Sequence, residues 1–155
     1  MPLKQLSVAV LVCGTLDIGY AIVTTLLKGG TAGMVLRGVA SGPFGDAASR
    51  WGAGGALLGL GVHFAIMIVM VAAYFMLAAN RKLDAVPPWV AGTGYGLALY
   101  ALMYLIVLPS RWPTIYPLTG PAEIAISLFP HIAFVGIPLA LIASHPIAIT
   151  KKLDG

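Results

Sequence analysis

Four side chains that can exchange a proton or hold a cation stand inside long apolar stretches of this sequence. They are Asp17, His63, His131 and Tyr100. A carboxylate, two imidazoles and a phenol can together relay protons, bind an ion or hold a metal. A charged group inside a bilayer costs at least ~2.5 kcal/mol on insertion scales, so such residues need polar neighbours. What these four can do therefore depends on the elements that carry them.

Asp17 lies near the middle of an apolar run, residues 6–27, that contains no Lys or Arg. Such a run is long enough to cross the ~30 Å hydrocarbon core of a bilayer. Three further spans are predicted at 51–79, 89–108 and 121–144, and they carry His63, Tyr100 and His131 in turn.

The composition indicates the same class of protein. Of 155 residues, 59% are hydrophobic and 9% are charged, whereas a soluble domain has about 25% charged residues. The sequence therefore predicts an all-α, polytopic membrane protein, with residues 1–155 forming a single membrane domain built as a four-transmembrane-helix bundle.

The glycine-rich linker between the first two spans has a partly apolar middle. Met34, Val35 and Val39 predict a short interfacial helix that ends at Gly42 and Pro43. This segment is too short to cross a membrane.

Two features indicate which helix surfaces meet protein. In span one we expect the small and polar face to point inward and the opposite face, which includes Leu11, Ile18 and Leu26, to point toward lipid. In span four, Pro130 and Pro138 each remove a backbone donor, which should bend the helix and free two carbonyl groups, those of Ile126 and Phe134.

The depths of the four polar residues agree. At a rise of ~1.5 Å per residue, Asp17 and His131 lie ~15 Å below one surface, His63 ~18 Å and Tyr100 ~12 Å. We therefore predict a buried polar cluster of Asp17, His63, His131 and Tyr100 in the middle of the bundle.

Three functions are compatible with that cluster. The leading interpretation is a transporter-like protein or a proton or ion relay, with the proline-bent fourth span as the moving part. An alternative is a metal or haem site in which His63, His131 and Asp17 are the candidate ligands, although no short ligand-spaced motif is present. A third is a structural or assembly subunit of a larger membrane complex. Asp17 could also simply bond His63 or Tyr100 and fix helix register.

No catalytic residues are predicted. The sequence contains no G-x-S-x-G, P-loop, C-x-x-C or Rossmann fingerprint, and an enzyme is not favoured. No cofactor is firmly implied beyond the metal or haem alternative.

Charge and glycine patterns bear on partners and topology. The net charge of +4 is scattered, which argues against nucleic acid and for the lipid bilayer as the main partner. The pair Gly55 and Gly59 would let another helix approach, so a homo-oligomer or a membrane-complex partner is also expected. Four spans place both termini on the same side of the membrane. Five Lys and Arg residues lie on that side and four on the other, which favours a cytoplasmic location for both termini. The five are Lys4, Arg81, Lys82, Lys151 and Lys152, and the four are Lys28, Arg37, Arg50 and Arg111.

Several motifs together resemble a family of small, uncharacterised four-span bacterial inner-membrane proteins. The resemblance covers most of the chain and implies a bacterial inner-membrane location, with Asp17, His63 and His131 as the polar residues of the motifs. The motifs are Gly14-Thr15-Leu16-Asp17, Val39-Ala40-Ser41-Gly42 with Gly45, Val62-His63-Phe64, Gly92-Thr93-Gly94-Tyr95-Gly96 running to Val107-Leu108-Pro109, and His131 with Val135-Gly136-Ile137-Pro138-Leu139-Ala140.

Overall fold

Long helices account for most of the chain. The structure, a computed structural model, describes residues 3–79 and 85–145, and it contains no strand in these two ranges. In order, the elements are α1 (Leu3–Leu27), α2 (Ala32–Phe44), a 3-10 turn (Asp46–Arg50), α3 (Gly52–Ala78), α4 (Pro88–Arg111) and α5 (Pro121–Ser144). Four of them, α1, α3, α4 and α5, are long and apolar enough to cross a membrane. The predicted all-α, four-span architecture is confirmed.

The predicted spans differ from the helices mainly at two ends. α1 begins at Leu3 and not at residue 6, and α4 continues to Arg111 and not only to residue 108. α2 occupies the place of the predicted short helix: Thr31 caps it by accepting a hydrogen bond from the Met34 amide at 3.2 Å, and Gly45, with φ of 80°, ends it. Four residues that the predicted orientation used lie outside the described residues, namely Arg81, Lys82, Lys151 and Lys152.

Two π-helical turns explain how α4 and α5 continue through their prolines. One covers Met103–Val107, just before Pro109, and the other covers His131–Gly136, between Pro130 and Pro138. In each the backbone bonds reach one residue further than in an α-helix, as from the Ile137 amide to the Ile132 carbonyl. The wider turn accommodates a residue without an N–H group, and such turns are frequent at functional sites.

Glycines allow two pairs of helices to pack backbone to backbone. A Cβ atom on Gly59 would collide with the Leu36 carbonyl of α2, and one on Gly96 would collide with the backbone of α5 at His131. The face of Gly55 and Gly59, predicted to receive another helix, is therefore covered by α2 of the same chain.

The tightly packed core lies in the half of the bundle nearer the termini. Its fully buried members include Cys13, Val71 and Leu139, each at 0% exposure. The lipid-facing assignment of Ile18 is wrong, since only 7% of this residue is exposed. The reason is that α1 contacts α2 as well as α3 and α5, so it is covered on more than one side.

Candidate functional site

The half of the bundle nearer α2 contains two cavities that share a wall. The larger cavity, about 660 Å³, lies between α3 and α4, and Asp17, His63 and His131 all line it. The smaller cavity, about 430 Å³, lies between α1 and α5 and is lined by Asp17 and His131 again. Three of the four predicted residues therefore lie around one space, and two of them, Asp17 and His131, border both cavities.

Asp17 is the acidic residue that lines both cavities. It lies one turn beyond Gly14 on α1 and is partly buried. Among the described residues it has no hydrogen-bond partner, so the hypothesis that a bond to His63 or Tyr100 fixes helix register has no such bond to support it. Asp17 lines both cavities, where water or a ligand can reach this residue.

Both imidazoles are held by a backbone carbonyl. The Nε2 atom of His63 lies 2.9 Å from the Gly14 oxygen, and the Nδ1 atom of His131 lies 2.8 Å from the Ser127 oxygen. Since a carbonyl only accepts, the ring nitrogen in each bond is the protonated one. The other nitrogen of each ring, Nδ1 of His63 and Nε2 of His131, has no protein partner in the described ranges.

Tyr104 occupies the position on α4 that sequence analysis gave to Tyr100. Tyr104 lines both cavities, whereas Tyr100 lies behind it in a stacked pair with ring centroids 4.8 Å apart. Both rings meet His131 edge to face, at 5.8 Å from Tyr100 and 5.6 Å from Tyr104. The residues share a face at a spacing of four, which is the signal that could have indicated Tyr104.

The end of α4 and the loop after it add two residues that sequence analysis did not assign to the site. Tyr116 lies against Tyr104 with ring centroids 5.6 Å apart and lines the smaller cavity, and burial raises the pKa of its phenol. Arg111 borders the larger cavity, but its guanidinium is already engaged. It donates to the Ser41 and Gly42 carbonyls at the end of α2 and to the Asp46 carboxylate at 2.5 Å.

The cluster is not arranged as a metal centre. Within residues 3–79 and 85–145, no three His, Cys, Asp or Glu side chains come close enough together to hold a metal ion. Asp17, His63 and His131 border one cavity but do not converge on one point. The metal alternative thus has no ligand set in this part of the chain.

Comparisons with models of known protein families, with curated proteins and with solved structures yield no match for this chain. The function is therefore argued from the site itself.

Proposed function

We propose that this protein is a small transporter-like membrane protein that exchanges protons at Asp17, His63 and His131. The observation that carries the proposal is that the Asp17 carboxylate, which has no hydrogen-bond partner among the described residues, lies on a wall shared by two cavities. Carboxylates and histidines inside membrane spans commonly mark proton or ion pathways. Here two imidazoles border the same space as Asp17, and one nitrogen of each ring has no protein partner within the described ranges. Imidazoles placed in this way can in general pass protons through water.

The location proposed with this function is a bacterial inner membrane with both termini in the cytoplasm. The family resemblance supports the membrane, and the distribution of Lys and Arg supports the orientation. In that arrangement α2 and the loop after α4 lie on the outer side, and both cavities approach Asp17 from there.

Proton flux in reconstituted vesicles tests the proposal. With a pH-sensitive dye inside and an imposed membrane potential, the wild-type chain is expected to carry protons. Asp17→Asn should reduce the flux to that of protein-free vesicles, because the amide cannot ionise. Asp46→Asn is the matched control, since Asp46 borders neither cavity, and it should retain the flux. Equal flux in wild type and Asp17→Asn would remove the relay.

A further inference from the structure

The walls of the larger cavity are mostly apolar and include three methionines. Met67 and Met70 come from α3, and Met103 comes from α4. Methionine is flexible and polarisable, so such walls adapt to apolar bodies of different shape. A volume of about 660 Å³ falls within the range of roughly 300–1,000 Å³ that is usual for small-molecule sites.

α3 and α4 barely contact each other, and the larger cavity lies in the gap between them. Ile66 of α3 and Val107 of α4 line it and are 37% and 41% exposed. The end near α2 is covered by Val39, Pro43 and Trp112. An exposed aliphatic side chain on each of the two helices that line the cavity suits a ligand that arrives from an apolar phase.

The charges of the cavity favour a cation. Asp17 is its one acidic residue and has no protein partner among the described residues. Arg111 is its one Lys or Arg, and its guanidinium is occupied by Asp46 and by the carbonyls of α2. The Tyr104 ring, which also lines the cavity, adds an aromatic surface of the kind that attracts cations.

We propose that the larger cavity binds an organic cation with an apolar body, such as a protonated amine or a quaternary ammonium, which enters between α3 and α4 and pairs with Asp17. This inference rests on the proposed function, because it uses the same carboxylate, and it names the substrate class. The apolar body of the ligand lies against the methionines. The positive charge of the ligand takes the place of the proton on the Asp17 carboxylate. Cation and proton then compete for one group.

Binding of tetraphenylphosphonium to the purified full chain in detergent tests the inference, with protein-free micelles as the blank. Asp17→Asn should weaken binding about 30-fold or more, since a buried charge loses its partner. Lowering the pH should also weaken binding to the wild type, because protonation removes the negative charge of Asp17. Glu123→Gln is the matched control, since it removes an exposed carboxylate that does not border the larger cavity, and it should bind as the wild type does.

Tetraphenylborate, an anion of nearly the same size and shape, separates charge from apolarity. We expect it to bind at least tenfold more weakly than the cation. Equal binding of both ions, or equal binding of the cation by wild type and Asp17→Asn, would overturn the inference. Proton flux that depends on Asp17 without cation binding overturns the substrate class and leaves the relay. Cation binding that depends on Asp17 without proton flux supports the site and overturns the relay.

Discussion

At the scale of single residues, a proline in one helix creates the partner for a tyrosine in another. Pro130 has no N–H group, so the Ile126 carbonyl one turn earlier loses its usual helical donor. The Tyr20 hydroxyl of α1 donates to that oxygen at 3.1 Å. The freed Ile126 carbonyl was predictable from the sequence, but its partner was not, because nothing local links residue 20 to residue 126.

This pairing predicts how two substitutions combine. Tyr20→Phe should lower the free energy of unfolding by about 1 kcal/mol, the value of a typical hydrogen bond. In a Pro130→Ala background, the amide of residue 130 can donate to the Ile126 carbonyl. Tyr20→Phe should then lower the free energy of unfolding by clearly less. Unfolding of the four variants in mixed micelles measures both costs. A tyrosine cost that is the same in both backgrounds would contradict the pairing.

At the scale of elements, α2 and the two π-helical turns position the residues around the cavities. The sequence predicted a short helix after α1 and a close approach at Gly55 and Gly59, but it did not show that these two features belong together. The two helices that approach each other here are formed by residues far apart along the chain. A glycine in the sequence indicates that some backbone can pack closely against it, but not which one. The π-helical turns were not predicted because a proline indicates a lost donor and not how the helix adjusts.

The contact between α2 and α3 predicts a difference between two glycines of the same helix. Gly59→Ala should destabilise the protein by about 1–3 kcal/mol, because the added methyl meets the Leu36 carbonyl, which is backbone and cannot rotate away. Gly61→Ala is the control: nothing lies within 4 Å of its added Cβ atom, so it should be neutral or slightly stabilising. Thermal unfolding in detergent distinguishes the two, and similar behaviour of both variants would argue against this packing.

At the scale of the whole molecule, one half of the bundle is densely packed and the other is hollow. In the hollow half, Arg111 links α4 to α2 by donating hydrogen bonds to the Ser41 and Gly42 carbonyls near the end of α2. A cation at a helix C-terminus is favoured by the helix dipole. Its pair with Asp46, whose side chain is 82% exposed, adds little, because exposed ion pairs contribute at most about 1 kcal/mol.

Hydrogen exchange should therefore rank three variants. Arg111→Ala is expected to speed amide exchange in residues 39–45 by about tenfold or more, because the charge-assisted bonds to the Ser41 and Gly42 carbonyls are lost. Asp46→Ala should change it only slightly, and Arg50→Ala, at an exposed residue outside the larger cavity, should not change it. Exchange in residues 64–75 of α3 should stay the same in all three. An Asp46→Ala effect as large as that of Arg111→Ala would show that the ion pair, and not the carbonyls, holds α2.

The dense packing around Cys13, Val71 and Leu139 has a consequence for transport. Both cavities that border Asp17 reach it from the α2 side, while these three fully buried side chains fill the bundle beyond it. A solute released toward the termini would have to pass between these closely packed side chains. Under the proposed transport function, the arrangement described here would be one end state of an alternating-access cycle, and its counterpart would require the helices to part where they now pack most closely.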